Sequence, residues 1–278
     1  MKRFSLILIC LTIGLGTFAQ ELKLKRRKSD ALTGSQFSKL IADTNLSLSV
    51  REEMIWQEIK NGNVPSFLRK LSPIEINKVI NTKTYKLIIY TIPDYLSIGS
   101  DTNYFYIPTT PMLAQRIANL THTLLPTKTM VDEIYAQAVI KLEPQPIPPS
   151  KAMINVPVFI AHQEMILKQL QALGNNYKQG NLTAGNKKDI IISNKIYGQA
   201  TPRVVIYGWH KLDGKAIQPV YNKHTNTWAD YSHGVRLISD IGYLNGKKIK
   251  LSGILKDPIL HELLSDEGVI TEAKYPID

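Results

Sequence analysis

The chain has 278 residues, of which 34 are Lys or Arg and 23 are Asp or Glu, so that its formal net charge is +11 at pH 7. A chain of this length can bury a large apolar core and does not need disulfides to fold. Its single cysteine, Cys10, lies in an apolar segment near the N-terminus. The rest of the chain therefore has no thiol, which excludes disulfides, thiolate catalysis and cysteine-ligated metals there.

Residues 1–19 have the pattern of a secretory signal peptide. Lys2 and Arg3 give a positive start, an apolar run follows, and Thr17 and Ala19 place small residues before a cleavage site at Gln20. The apolar run is shorter than a comfortable membrane span. The sequence therefore predicts an exported protein, periplasmic or extracellular, with no membrane span after cleavage. An uncleaved N-terminal anchor is the alternative.

Residues 20–34 contain a dense run of positive charge, Lys23-Leu-Lys-Arg-Arg-Lys28. Such a run near a terminus predicts a basic flexible arm. A basic surface favours an anionic polymer or a cell-wall glycan as partner, although ordinary solubility charge explains the same excess. The sequence has no zinc-finger spacing, RNP-like aromatic pattern or helix-turn-helix signature, so it predicts no specific nucleic-acid partner.

Residues 35–278 are predicted to form one globular domain, with several helices in its first half. Ser49 and Glu52 have the spacing of a capping box, which predicts a helix that ends near Asn61-Gly62. Thr110-Pro111 predicts the start of a second helix. Further elements predicted in this half are a helix over 128–138 and strands at 85–90 and 104–107.

Residues 143–150 have four prolines in eight positions, Glu-Pro-Gln-Pro-Ile-Pro-Pro-Ser. Proline fixes the backbone in an extended form, so this segment is predicted to be stiff. It could be an interdomain linker or a strap across one domain. We favour the strap, because neither half of the chain has the elements of a complete fold.

The C-terminal part is rich in β-forming residues. Asn245-Gly246 between the runs 234–244 and 247–255 is a strong signal for a two-residue hairpin. Other elements predicted here are a helix over 159–173 and strands at 189–193 and 203–210. Together the patterns predict an α+β fold in which an N-terminal helical half packs on a C-terminal mixed or antiparallel sheet.

Titratable side chains concentrate between residues 209 and 236. His210, His224 and His233 are three of the six histidines, and Asp230 lies between the last two. Buried polar groups each need a partner, so a packed core has little use for such a concentration, whereas an active site requires it. We predict these four residues to be the catalytic groups.

The chemistry of these four residues is left open by the sequence. His210, His224, Asp230 and His233 are candidate ligands of one divalent metal such as zinc, because imidazoles with a carboxylate are a standard ligand set. Without a metal they can act as general acid and base. Neither an H-E-x-x-H motif nor H-x6-D with H-x-H is present. Structural roles in a polar turn and at a strand end are the third alternative.

Seven neighbouring residues are predicted to bind substrate. Tryptophans suit stacking on sugar rings, and the other polar side chains suit orientation of a polar substrate. Alternation along a strand sets Arg236 and His233 on opposite faces. The predicted substrate-binding residues are Trp209, Trp228, Tyr231, Ser232, Arg236, Lys188 and Asp189.

These observations favour an exported hydrolase that acts on a cell-envelope or extracellular polymer, peptidoglycan or another glycan first. One alternative is a polysaccharide lyase with Tyr231 or His233 as base. Another is a non-catalytic envelope- or glycan-binding protein that uses Trp209, Trp228 and the basic arm. Ser232 is a weak candidate for a nucleophile, because the G-x-S-x-G elbow is absent.

Overall fold

The computed structural model describes residues 20–277, so the predicted signal peptide lies outside the described residues. The α-helices in this range are α1 (Gly34–Leu40), α2 (Leu48–Lys60), α3 (Pro111–Thr121), α4 (Lys128–Gln137), α5 (Val156–Ala172) and α6 (Leu251–Lys256). The strands are β1 (Ser72–Ile80), β2 (Lys83–Thr91), β3 (Ser97–Gly99), β4 (Tyr104–Tyr106), β5 (Thr123–Leu124), β6 (Ile140–Lys141), β7 (Thr183–Ala184), β8 (Lys188–Ile190), β9 (Ile206–His210), β10 (Ala216–Tyr221), β11 (His233–Gly234), β12 (Ile238–Ser239), β13 (Ile241–Leu244) and β14 (Lys247–Lys250).

Two sheets form the centre of the fold. The larger one has the order β14-β13-β2-β12-β5, with β1 beside β2, and its pairs are antiparallel. The second has the order β10-β9-β8-β11, in which β8 and β11 run parallel. The predicted α+β class is confirmed. The division into a helical half and a sheet half holds only loosely, because β1 and β2 from the first half build the larger sheet.

The helix starts depend on which side chains reach the free backbone N–H groups. Thr110 is the N-cap of α3, as predicted, and its hydroxyl accepts from the N–H of Leu113. The predicted capping box of α2 is wrong, because Ser47 is the N-cap and the helix begins two residues earlier. Glu52 instead accepts from the N–H and the hydroxyl of Thr110, at 2.6 and 2.8 Å. Its carboxylate thereby links α2 to the start of α3.

The Asn245-Gly246 turn forms the predicted hairpin between β13 and β14. Both residues have positive φ, 49° and 79°, as a two-residue turn of this type requires. The second strand is shorter than predicted and ends at Lys250, because the chain continues as helix α6. The buried apolar residues of α6 recur at helical spacing: Leu251, Ile254 and Leu255.

Two segments with little regular structure lie against the body of the protein. In residues 20–34, predicted as a flexible arm, Leu22 is buried and its N–H donates to the carbonyl of Arg69 at 2.7 Å. In residues 143–150, predicted as a strap, the N–H of Ile147 donates to the hydroxyl of Tyr231 at 2.7 Å. That hydroxyl donates back to the carbonyl of Ile147 at 3.2 Å. Segment 143–150 is therefore tied to the chain that precedes β11.

The main apolar core lies between the sheets and the helices. A smaller cluster packs Ile166 and Leu170 of α5 against Tyr95, Tyr104 and Tyr106. This cluster packs α5 against β4 and the segment before β3, and His162 of the same helix contacts Lys187 next to β8, where the polar residues described below are found. Nothing helical in residues 20–277 combines the length and the apolar character that a bilayer crossing requires.

Candidate functional site

Strand β8 lies at the centre of the candidate site. Lys188 pairs with His233 of β11 on one side and with Gly208 of β9 on the other. Alternation along β8 sends Lys188 to one face of the sheet and its neighbours Lys187 and Asp189 to the other. Three short strands thereby gather polar residues from distant parts of the chain.

The backbone at Trp209 is strained. Its φ is 57°, a left-handed conformation that is rare for a bulky residue and costs on the order of 1–3 kcal/mol. The indole lies beneath Lys188, whose Nζ is 4.9 Å from the ring centroid. Its ring centroid is also 6.2 Å from those of His162 and Tyr231. The strained backbone thus holds a large aromatic surface under the lysine.

Asp230 and His233 form a buried pair, with 4.0 Å between Oδ2 of the carboxylate and Nε2 of the imidazole. Asp230 accepts from the N–H and the hydroxyl of Ser232 and from the indole N–H of Trp228. In contrast, neither ring nitrogen of His233 makes a hydrogen bond of normal geometry with the described residues. The backbone of Thr109 interacts with the imidazole only weakly and raises its pKa. The carboxylate is fixed, and the imidazole has both nitrogens available.

The environment sets the charge of this pair. Burial raises the pKa of Asp230, but His233, Lys188 and the donors of Ser232 outweigh it, so that the pKa lies below its usual range. Burial lowers the pKa of His233 to about 4, Lys188 adds to the effect, and Asp230 opposes it. At neutral pH the pair is therefore a carboxylate beside an uncharged imidazole, which can accept a proton.

Three partly exposed side chains surround the pair: Lys188, His224 and Trp228. The rings of His224 and Trp228 stack with centroids 4.6 Å apart and an angle of 9°. Trp228 also lines a surface cavity of about 190 Å³, together with Arg51 and Asn155. We call these three side chains the rim. The rim presents a flat aromatic surface next to the cavity.

The ammonium of Lys188 makes no hydrogen bond or ion pair with the part of the chain that the structure describes. Burial lowers the pKa of Lys188, and the charge of Asp230 opposes this. The lysine thus brings a cation with free donors to the rim, close to a carboxylate and an uncharged imidazole.

Lys187 is fully buried and lies on the other face of β8. Its Nζ donates to the carbonyl of Tyr231 at 2.6 Å and lies 3.1 Å from Nδ1 of His162. Burial lowers the pKa of Lys187 to about 7 and that of His162 to about 2. Neither residue is among the predicted site residues. The spacing of adjacent lysines gives no signal for which of them is buried, so the sequence could not single out Lys187.

Arg236 and Asp189 were predicted to bind substrate, and the structure engages both in interior contacts. Arg236 is 1% exposed, and its guanidinium donates to the carbonyls of Ile92 and Thr183. Its Nε lies 3.6 Å from Oδ1 of Asp189. Burial raises the pKa of Asp189 to about 6, against the opposing effect of Arg236 and Tyr95. These two residues lie behind the rim and not at its surface.

His210 belongs to a different cluster. Its Nε2 lies 3.2 Å from Oδ1 of Asp132 in α4, and its ring stacks on that of Tyr135 at 4.4 Å. Asp132 also accepts from the hydroxyl of Tyr207 and pairs with Lys128. The structure therefore brings Asp230, His233 and the nearby His224 together, but not His210 with them.

Metal ligation by the four predicted catalytic residues would need them to converge on one point. Within residues 20–277, no group of three or more His, Cys, Asp or Glu side chains is arranged to hold a metal ion. The separation of His210 from the Asp230–His233 pair is part of the reason. What the described residues assemble here is a set of acid–base groups.

Buried polar atoms that lack a partner are concentrated around β8. In the described chain there are eight such side-chain atoms: two in His233, one each in Thr109, His162, Asn186, Asp189 and Trp209, and one in the distant His261. Each unsatisfied group costs stability, roughly 1–3 kcal/mol, and calls for an explanation. Their concentration beside an aromatic rim marks this region as the candidate functional site.

No protein-family model, no curated protein and no solved structure matches this chain. Since one fold class hosts many unrelated activities, the α+β architecture does not indicate a function either. Function has to be inferred from the side chains of the site.

Proposed function

We propose that this protein is a hydrolase that cleaves an acyl bond in a cell-envelope or extracellular polymer, with peptidoglycan or another glycan as the first candidate. The observation that carries the proposal is the imidazole of His233, which is buried and has no hydrogen bond of normal geometry at either nitrogen. It lies beside the carboxylate of Asp230, at 4.0 Å. The predicted signal peptide is the basis for a substrate outside the cytoplasm.

His233 is the general base in this mechanism. Its uncharged imidazole takes a proton from water as the water oxygen attacks the acyl carbon, and it returns the proton to the leaving group. Asp230 stays ionised and stabilises the imidazolium while it exists. Positioned proton transfer of this kind contributes roughly 10²–10⁴-fold to a rate, and distances such as 4.0 Å commonly shorten when substrate binds.

Lys188 stabilises the charge that develops on the attacked group. Attack on an acyl carbon makes its oxygen negative, and a fixed donor close to that oxygen lowers the barrier. Lys188 has unused donors and is held over the face of Trp209 at 4.9 Å. A cation in this place has more effect on the transition state than on the uncharged substrate.

The rim supports a polymer containing sugar rings. The stacked pair His224 and Trp228 is partly exposed and flat, as carbohydrate stacking requires. The cavity of about 190 Å³ beside Trp228 gives room for a neighbouring unit of the polymer. Because His233 is fully buried, substrate has to displace side chains of the rim to reach it.

An acyl bond suits this site better than a glycosidic bond. Most glycosidases use two carboxylates across the scissile bond, whereas Asp230 lies beside the imidazole of His233, and the charge of Lys188 helps to lower its pKa. The lyase alternative has less support. Tyr231 would have to give up both its hydrogen bonds with Ile147, and burial raises the pKa of its hydroxyl.

The test measures hydrolysis of purified peptidoglycan and of an acetylated glycan by wild type and by Asp230→Asn. Newly released amino groups, acetate and reducing ends are measured separately. We expect release of amino groups or acetate by wild type and a loss of at least about 100-fold in Asp230→Asn. Asp213→Asn is the matched control, because Asp213 lies in an exposed turn, and it should keep its rate within about twofold.

Three results would contradict the proposal. They are unsaturated products or reducing ends without acyl cleavage, binding of the polymer without turnover, and an unchanged rate in Asp230→Asn. The first result would favour a lyase or a glycosidase, and the second would favour a binding protein.

A further inference from the structure

A cavity of about 350 Å³ lies where the N-terminal segment crosses the short 3-10 turn Ser66–Leu68. Its lining combines three arginines with two serine hydroxyls and a few apolar side chains. The lining residues are Leu24, Arg26, Arg27, Val64, Ser66, Arg69, Ser100 and Asp101. None of them belongs to the candidate active site, so this cavity needs its own explanation.

Backbone carbonyls and the side-chain amide of Asn63 hold two of the arginines in place. Arg27 donates to Asn63 Oδ1 and to the carbonyl of Ala31, both at 2.8 Å. Arg69 donates to the carbonyls of Lys25 and Gly62, also both at 2.8 Å. The two guanidiniums are therefore positioned before any ligand arrives, which reduces the entropy lost on binding.

Positive charge in the cavity exceeds negative charge. Asp101 is the carboxylate of the lining, and the N–H groups of Ser66 and Phe67 and the hydroxyl of Ser66 already donate to it. Arg26 is exposed, and its side chain has no hydrogen bond or ion pair with the described residues. Glu21 lies outside the lining, and its charge opposes the lowering of the pKa of Arg69 by burial. Three guanidiniums against one engaged carboxylate in the lining still make a concave surface that attracts anions.

We propose that this cavity binds a phosphate group of a phosphodiester polymer and thereby anchors the protein to that polymer. The guanidinium of Arg26 has unused donors that can pair with phosphate oxygens. Arg27 and Arg69 donate mainly to oxygens of the chain, so they contribute chiefly their positive charge. The volume of about 350 Å³ exceeds that of one phosphate, which leaves room for the adjoining polyol or sugar. The exposed lysines Lys23 and Lys25 favour a repeating anion over a small one.

The experiment measures binding of poly(glycerol phosphate) to the purified protein by titration calorimetry at fixed salt. We expect wild type to bind and Arg26→Gln to bind at least about fivefold more weakly. Lys28→Gln is the matched control, because it removes the same charge from an exposed side chain of the same segment, and it should change the affinity less than about twofold. Arg26 carries no contact needed for folding, so its variant should unfold at the wild-type temperature.

Two further measurements separate a phosphate site from a diffuse basic surface. Polygalacturonate, a carboxylate polymer, should bind at least about tenfold more weakly than poly(glycerol phosphate). Arg26→Lys keeps the charge but loses the paired donors of a side chain that makes no contact with the described residues, and it should weaken binding of the phosphate polymer. No binding by wild type, equal losses in Arg26→Gln and Lys28→Gln, or equal affinity for both polymers would each overturn the proposal. Asp230→Asn should bind like wild type, which keeps this test independent of the proposed hydrolase.

Discussion

Two histidine–carboxylate pairs lie on the strands that flank β8, and they differ in how their imidazoles are used. His210 is hydrogen-bonded to Asp132 and stacked on Tyr135, and its partner carboxylate is partly exposed, with 39% of its side chain accessible. His233 has a fully buried side chain and no hydrogen bond at either nitrogen. The imidazole of the first pair is hydrogen-bonded, whereas the imidazole of the second pair has no hydrogen bond at either nitrogen.

The difference teaches that residue type alone does not identify a site. A satisfied pair contributes modestly to stability, whereas a buried group without a partner costs roughly 1–3 kcal/mol. A structure retains such a cost when the group has another task, such as proton transfer. This argument favours His233 over His210 as the functional histidine, while His210 connects β9 to α4.

The largest expected effect compares the two histidines directly. His233→Gln should lower kcat/KM on the hydrolysed polymer by at least about 100-fold, because the base is lost. His210→Gln should stay within about threefold of wild type, since its contacts are structural. Initial rates on the same polymer batch measure both variants. A similar loss in the two variants would remove the distinction.

The acid stability of the protein should depend on His233. Its pKa is about 4 in the folded protein against an ordinary 6.5, so the unfolded chain binds more protons between these values. The contribution of His233 to the free energy of unfolding is therefore complete above pH 6.5. It falls by about 3 kcal/mol as the pH drops to 4.

His233→Gln removes this contribution. Its unfolding free energy, measured by urea titration at pH 7 and pH 4, should decline less than that of wild type by about 2–3 kcal/mol. Equal declines in the two proteins would mean that the imidazole is not held uncharged. His162 contributes equally to both proteins, so it cancels in the comparison.

Substitution of Tyr231 tests whether this neighbour of the Asp230–His233 pair has a structural or a catalytic role. Tyr231→Phe removes the hydroxyl that bonds both backbone groups of Ile147, and we expect a cost of about 1–2 kcal/mol. Hydrogen exchange at the amide of Ile147 should become faster, while the rate of hydrolysis stays within about threefold. A loss of 100-fold or more without loss of stability would make Tyr231 a catalytic residue and would favour the lyase.

The smallest expected effect concerns the pair of His210 and Asp132. Asp132→Asn weakens the ion pair with Lys128 and the hydrogen bonds with Tyr207 and His210. Because the carboxylate is 39% exposed, the loss of stability should be about 1 kcal/mol or less. Thermal unfolding at pH 7 measures it. A much larger loss, or a loss of hydrolysis, would show that the His210–Asp132 pair does more than connect β9 to α4.

Local chemistry explains which elements could be predicted. The Thr110-Pro111 helix start and the Asn245-Gly246 hairpin depend on residues adjacent in the chain, and both are confirmed. The start of α2 could not be predicted, because Glu52 is engaged by Thr110, a residue 58 positions away. The helix after Lys250 looked like a continued strand, since its apolar residues suit either structure over so short a run.

The candidate site could be predicted only as a region. The types of residue between 209 and 236 indicated it, but the partners that decide each role come from elsewhere. Asp132 lies 78 positions from His210, and Lys187 contacts a histidine of α5. Which imidazole is satisfied, and which of two adjacent lysines is buried, depends on these contacts, and spacing along the chain does not reveal them.

The parallel pairing of β8 and β11 also determines when the site can exist. Parallel neighbours cannot be joined by a tight turn, and here residues 191–232 intervene, including β9 and β10. Contacts between such distant residues form only after the entropy of closing a long loop has been overcome, so we expect them to form late in folding. A chain that has collapsed but not yet paired β8 with β11 has no Lys188 beside His233. If the protein is the proposed hydrolase, its activity should therefore appear only with the complete native topology.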